Sequence, residues 1–320
     1  MPQRQIYTKR KLIMQKTQFR GVIMLLATAF IWGSSFVAQS VGMESVEAFT
    51  FNGIRTLMGA AVLLPFILIR DRLGAKHRDA PSHESRRTAR RQLLISGSLL
   101  GVVLCAASNF QQFAFNYSTS GKIAFITAFY MLFVPIIGLF IGKRIPAVTW
   151  ICVLFGTVGL YFLCIGPDGF TAINFGDILT LICAVIYAVH ILLIERFAPE
   201  VDSIKLSCMQ FAVSGTISCI LMFIFESPSL HAICSCIIPL LYSGIMSCGF
   251  AYTFQIVGQK YTESTVASLL MCMESVFGVL CSALLLKERL SPRELLGCGI
   301  MFAAIIFSQV GDKLITRRKK

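Results

Sequence analysis

The chain contains two copies of one apolar unit, and this duplication constrains its fold more than any other feature. Near the start of each copy the spacing is 155: Gly21, Ile23, Leu26, Ala29 and Ile31 recur as Gly176, Ile178, Leu181, Ala184 and Ile186. Further along the spacing is 144: Ala107, Phe110, Gln111, Tyr117, Ser120 and Phe133 recur as Ala251, Phe254, Gln255, Tyr261, Ser264 and Phe277. A fixed internal period indicates a repeated structural unit.

The composition places both copies in a membrane. Of 320 residues, 56% are hydrophobic and 14% are charged, and the mean hydropathy is +0.74. A soluble domain carries about 25% charged residues, so this much apolar surface needs lipid around it. The net charge of +13 does not indicate a nucleic-acid partner, because the basic residues lie in short segments between apolar runs rather than on a basic face with interleaved aromatic residues. The predicted fold class is therefore an all-α polytopic membrane protein.

Ten apolar runs are long enough to cross a bilayer as helices. They cover residues 20–40, 47–69, 93–115, 119–141, 147–165, 176–195, 204–225, 233–257, 263–286 and 292–311. The sequence thus predicts a basic N-terminal segment (1–19), two five-helix repeats (20–165 and 176–311) and a basic tail (312–320). An odd number of spans inserts the second repeat upside down, and inverted repeats are a common architecture of secondary transporters. The polar stretch 70–92 has no counterpart in the second half, which explains most of the drop in spacing.

The basic residues predict the orientation in the membrane. If the N-terminus is cytoplasmic, 24 of the lysines and arginines between the spans or at their ends lie on the cytoplasmic side, and only Lys287, Arg289 and Arg293 lie on the other. Such an excess of cytoplasmic Lys and Arg follows the positive-inside rule. Both termini are therefore predicted to be cytoplasmic. The twelve cysteines lack metal-ligand spacing, and the sequence predicts neither a metal site nor a cofactor.

The segments YSTSGKIAFITAFYMLFVPIIGLFIGKRIPAVTW (117–150) and YTESTVASLLMCMESVFGVLCSALLLKERLSPRELLG (261–297) resemble the paired EamA domains of the drug/metabolite transporter superfamily. WGSSF (32–36) and Arg55 in the second span are similar to that family as well, so the resemblance covers residues 20–311. It implies that spans one to four and six to nine surround a cavity that opens alternately to each side. It also implies that spans five and ten are peripheral and that the chain lies in the cell membrane of a bacterium.

Glu274 is the sharpest candidate for a functional side chain. It lies near the middle of span nine with no basic residue one turn away, and a charged side chain at that depth costs about 2.5–3.5 kcal/mol on insertion scales. A contact with substrate, a proton-carrying role and a structural hydrogen bond all remain open. Its repeat equivalent is Tyr130, and Trp32 pairs in the same way with Tyr187. Inverted repeats place the binding site at the midplane, so these four residues are predicted to line it.

Five further polar or aromatic side chains are candidates for the same site. Arg55 lies too deep in span two to reach water, and either binds a substrate carboxylate or joins helices. Lys122 begins span four and either contacts substrate or reaches water at the surface. His190 follows Tyr187 by three residues and is either a proton relay or a polar helix contact. Asn109 and Tyr252 add polar groups on spans three and eight, where Gln111 and Gln255 are repeat equivalents that fit interhelical bonds or a symmetric gate.

The predicted function is a secondary transporter, expected to export a small organic metabolite such as an amino acid or amine, with proton coupling through Glu274 as one form and uncoupled facilitation as the other. Aromatic walls with one carboxylate suit an amine, a zwitterion or a flat cation. An intramembrane enzyme is disfavoured, because His190 is the only histidine in the spans, no GxSxG or HExxH motif occurs, and Asp177 has no evident partner. A receptor or scaffold would need a soluble partner-binding region. The predicted partners are the lipid bilayer, a small-molecule substrate and, in the proton-coupled form, protons. The predicted oligomeric state is a monomer or a homodimer.

Overall fold

The computed structural model describes residues 2–75, 83–165, 173–286 and 291–318, and every regular element in these ranges is helical. The first repeat contains α1 (Pro2–Met43), α2 (Ala48–Ala75), α3 (His83–Ala114), α4 (Ser120–Thr127), α5 (Tyr130–Phe140) and α6 (Ala147–Cys164). The second contains α7 (Phe175–Phe197), α8 (Ser203–Phe225), α9 (Leu230–Ser235), α10 (Ile237–Leu241), a π-helical segment (Tyr242–Tyr252), α11 (Thr253–Gln259), α12 (Ser264–Met271), α13 (Met273–Leu286) and α14 (Pro292–Arg318).

These helices occupy all ten predicted spans. Among the described residues, eight helical segments are long and apolar enough to cross a membrane: Thr17–Met43, Ala48–Leu73, Arg87–Ala114, Ser120–Phe140, Phe175–Phe197, Ser203–Phe225, Ile237–Gln259 and Ser264–Cys281. Ala147–Leu163 is a shorter apolar helix, and the tenth predicted span lies within α14. The predicted all-α polytopic membrane fold is confirmed.

Glycine contacts show that equivalent spans run in opposite directions. Gly53 lies against Cys219, and four residues further along α2, Leu57 lies against Gly215, so α2 and α8 are antiparallel. These two helices are the second span of each repeat. The fifth spans, α6 and α14, are antiparallel as well, because Gly159 lies against Met301 and Leu163 lies against Gly297. Close backbone approach of this kind is the usual role of small residues between membrane helices.

Other helix contacts also join a span of one repeat to a span of the other. Helix α1 packs against α13 in one half, and α7 packs against α4 and α5 in the other. Helix α3 packs against α7 and α8, and the eighth span packs against α1 and α2. These contacts therefore have counterparts in the opposite repeat, as expected for two copies related by a pseudo-two-fold axis in the membrane plane.

Spans four and nine are interrupted at equivalent positions. Helix α4 ends at Thr127 before α5 begins at Tyr130, and α12 ends at Met271 before α13 begins at Met273. At these breaks the Sγ atom of Cys272 is 3.5 Å from the backbone oxygen of Ala128, its repeat equivalent. The two interruptions therefore meet at the pseudo-symmetry axis, beside the side chains of Tyr130 and Glu274.

Ion pairs join helix ends on each face of the bundle. On one face, Lys122 Nζ lies 2.6 Å from Asp177 Oδ2, so Asp177, for which the sequence offered no catalytic partner, has an ion-pair partner. Both residues come from segments predicted to be on the same side. On the other face, Lys143 pairs with Glu195, and Arg70 Nη2 lies 2.8 Å from Asp202 Oδ2. We call the face with Lys143 and Arg70 the basic face, because it carries most of the lysines and arginines. The face with Lys122 and Asp177 is the opposite face.

Candidate functional site

A small cavity lies inside the bundle, between the two halves. Its volume is about 40 Å³, enough for roughly three water molecules at 10–15 Å³ each. Seven spans contribute to its lining: Trp32, Phe36, Gln39, Arg55, Gln111, Thr127, Tyr130, Tyr187, Ile191, Ser247, Tyr252, Gln255 and Glu274. The fifth and tenth spans contribute none of these residues, as the resemblance implies, and neither does the seventh.

The only carboxyl group among the lining residues belongs to Glu274. Its side chain is 3% exposed, and its Oε1 atom accepts a hydrogen bond of 3.1 Å from the phenol of Tyr130. The other oxygen has no hydrogen-bond partner among the described residues. Tyr130 and Glu274 are repeat equivalents, 144 residues apart in the sequence, and they are also in contact. Equivalent side chains on spans four and nine thus meet across the pseudo-symmetry axis.

Aromatic side chains form one wall of the cavity. The rings of Trp32 and Tyr252 are 4.7 Å apart between centroids and tilted by 60°. The hydroxyl groups of Tyr187 and Tyr252 lie 3.1 Å apart and share a hydrogen bond. Contacts of this geometry hold the rings in fixed orientations. The wall therefore offers flat apolar surface with phenolic hydrogen-bonding groups at its edge.

Arg55 brings a cation to the same cavity. Its Nε atom donates to Asn52 Oδ1 and its Nη1 atom donates to Gln39 Oε1, both at 2.7 Å. Asn52 in turn donates to Asn109 Oδ1 at 2.9 Å, and Asn109 donates to Ser218 Oγ at 2.9 Å. Within the described parts of the chain, spans one, two, three and seven thus hold the guanidinium group in place through neutral groups.

The structure brings six of the nine predicted site residues together around the cavity: Trp32, Arg55, Tyr130, Tyr187, Tyr252 and Glu274. His190, Asn109 and Lys122 do not line it. His190 is fully buried, with Nε2 3.1 Å from Gln210 Oε1. Asn109 lies one hydrogen bond behind Asn52, and Lys122 is bound to Asp177 at the opposite face.

Three polar lining residues were missed in the sequence. Gln39 follows Trp32 by two helical turns, so the α-helical period of span one carried a signal for it. Thr127 precedes Tyr130 by three residues and accepts a hydrogen bond of 3.1 Å from Gln111. Ser247 had no such signal. It lies five residues before Tyr252 within the π-helical segment, where five residues rather than four make up the hydrogen-bonded turn.

Gln111 and Gln255 both line the cavity, one from each repeat. Gln111 bonds to Thr127 within its own half, whereas the Oε1 atom of Gln255 is buried and has no partner among the described residues. Equivalent residues therefore face one central space from opposite repeats. Gln111 makes an interhelical bond, between spans three and four, and the symmetric gate stays a prediction.

Fold and cavity together define a class: helical membrane proteins whose inverted repeats enclose a polar cavity within the bundle, as secondary transporters do. The model of the EamA-like transporter family matches residues 19–165 and again residues 174–309. The chain belongs to the EamA-like transporter family. The predicted resemblance is confirmed, and this family points to a transporter rather than an enzyme.

Several relatives extend over most of the chain. A transporter of Archaeoglobus fulgidus, described as uncharacterized, is 27% identical over 88% of this chain and 83% of its own length. The inner membrane transporter YedA of Escherichia coli K12, also described as uncharacterized, is 23% identical over 93% and 94%. A solved crystal structure covering 94% of this chain and 98% of its own superposes with a TM-score of 0.72 at 18% identity. The protein is therefore a multi-pass membrane transporter by family.

Proposed function

We propose that this protein is a secondary transporter that moves a small organic metabolite outward by alternating access, with amino acids and amines as the first candidates. One observation carries the proposal: a carboxyl side chain, that of Glu274, lines a cavity inside the bundle, and the phenol of Tyr130 is its only hydrogen-bond partner among the described residues. Ionisable side chains inside membrane spans are costly and mark substrate or ion pathways.

The cavity must widen to admit a metabolite, since its present volume is about 40 Å³. The interruptions of spans four and nine are suited to this movement. They lie beside Tyr130 and Glu274 and need only small changes in backbone angles to bend. Ion pairs join helix ends on both faces, and alternating access would open one set while the other stays formed.

Proton coupling through Glu274 is part of the proposal. A carboxyl group that reaches the cavity can bind a proton on one side and release it on the other. The uncoupled facilitator stays the alternative, in which Glu274 only contacts the substrate or Tyr130. The two differ in whether a pH gradient drives substrate movement against its own gradient.

The test is flux of labelled alanine, leucine, phenylalanine and their amines in proteoliposomes, with and without an imposed pH gradient. We expect gradient-driven flux in the wild type and its loss in Glu274→Gln, which keeps the size of the side chain and the bond from Tyr130 but cannot ionise. Glu200→Gln is the matched control, because Glu200 pairs with Arg196 on the exposed surface. Unchanged rate and pH dependence in Glu274→Gln would refute the proton role.

A further inference from the structure

The guanidinium group of Arg55 is oriented without being neutralised. Its two hydrogen-bond acceptors are the side-chain amides of Asn52 and Gln39, and the Phe51 ring lies 5.5 Å from its Cζ atom. No carboxylate forms an ion pair with Arg55 in the parts of the chain that the structure describes. The charge is nonetheless buried, since Arg55 is only 5% exposed.

A purely structural arginine at this depth would be expected to pair with an acidic side chain, because an uncompensated buried charge is costly. Asn52 accepts from Nε and Gln39 accepts from Nη1, whereas Nη2 has no hydrogen-bond partner among the described residues, and Arg55 lines the cavity. A fixed guanidinium group with a free donor is suited to a carboxylate, which it can bind through two parallel hydrogen bonds.

We propose that Arg55 binds the carboxylate of the transported solute, so that the substrate is a zwitterionic amino acid rather than an amine. This inference rests on the proposed transport function and narrows its substrate class. Glu274 then faces the ammonium group, and the wall of Trp32 and Tyr252 contacts the side chain. Asn52, Gln39 and Asn109 are positioning residues, because they hold the guanidinium group and do not neutralise it.

The depths of the two charged groups agree with one ligand between them. Arg55 lies seven residues inside α2 from the opposite face, about 10 Å at 1.5 Å per residue. Glu274 lies ten residues inside span nine from the basic face, about 15 Å on the same scale. In a hydrocarbon core of about 30 Å, both groups lie in its middle third, with Arg55 nearer the opposite face.

The experiment measures thermal stabilisation of the purified full-length protein by three matched series. Each contains an amino acid (alanine, leucine or phenylalanine), its decarboxylated amine and its deaminated acid. We expect at least one amino acid to raise the melting temperature, with the amine of the same series at least tenfold weaker in half-saturating concentration. An amine that binds as well as its amino acid would overturn the inference while leaving transport intact. If no compound of any series binds or crosses proteoliposomes, the proposed function fails as well.

Variants separate binding from a structural role. Arg55→Gln is expected to lose at least tenfold in amino-acid affinity and to bind the amine unchanged, whereas Arg196→Gln, an exposed arginine on the basic face, should match the wild type. A lower melting temperature in Arg55→Gln with unchanged discrimination between amino acid and amine would show a structural role and refute the inference. The comparison of amino acid with amine in the wild type still tests the inference if Arg55→Gln does not fold. The ligand series are repeated in chloride and in gluconate buffers to test whether Arg55 binds an inorganic anion instead. Stabilisation by chloride alone would also refute the inference.

Discussion

At the site, the two repeats differ in the pair of equivalent residues Tyr130 and Glu274. Tyr130 and Glu274 occupy the same position in the two repeats and touch across the pseudo-symmetry axis. The repeat spacing predicted that they lie at one depth and line the site, but it did not predict that they bond to each other. Because one copy has a phenol where the other has a carboxyl, two nearly equivalent halves enclose a cavity whose described lining residues include one carboxyl group.

Asn109 illustrates a residue whose role the sequence could not place. It was predicted to contact substrate, and it lies instead behind Asn52 in the network that holds Arg55. Asn109→Ala should destabilise the protein by about 1–3 kcal/mol, because buried polar partners lose their bonds. It should also raise the KM for an amino acid several-fold without changing flux of the amine.

Thermal unfolding and initial rates on both ligands check this expectation. Asn116→Ala is the control, since Asn116 is exposed in the connection between α3 and α4. Equal changes in KM for amino acid and amine would contradict a positioning role through Arg55.

At the scale of helices, apolar length and the repeat were sufficient to predict where the spans lie. The same signals could not show the π-helical segment of span eight, which turns Ser247 toward the cavity together with Tyr252. They also could not show the interruptions at Ala128 and Cys272, because neither position carries glycine or proline. Local backbone breaks of this kind are set by packing at the pseudo-symmetry axis rather than by local propensity.

The contact between α6 and α14 depends on two glycines. A Cβ atom on Gly297 would lie 2.7 Å from the backbone oxygen of Gly159 and 2.7 Å from the backbone nitrogen of Leu163. Gly297→Ala should therefore force the helices apart and cost about 1–3 kcal/mol, as overpacking does.

Two residues further along α14, Gly299 has open space around its Cβ position, so Gly299→Ala should retain the wild-type melting temperature. Thermal unfolding in detergent compares the two variants directly. Similar melting temperatures for both would show that the close approach does not stabilise the fold.

For the whole molecule, antiparallel equivalent spans and same-face ion pairs agree with an alternating path of ten helices. The side of the membrane on which the termini lie is a prediction from the distribution of Lys and Arg. A C-terminal green fluorescent protein fusion should therefore fluoresce in a bacterial host, while an alkaline phosphatase fusion at the same site should be inactive. An active phosphatase would show that both repeats have the orientation opposite to the predicted one. The proposed direction of transport would then be reversed as well.

Counterflow in proteoliposomes tests the central claim, carrier function of the cavity, most directly. Vesicles loaded with unlabelled alanine, leucine or phenylalanine are diluted into the labelled compound at equal pH on both sides, so the result does not depend on proton coupling. A carrier with alternating access predicts transient accumulation of label for at least one amino acid, together with its loss in Arg55→Gln. Label that enters no faster than in protein-free vesicles, for every amino acid and amine, would contradict the account.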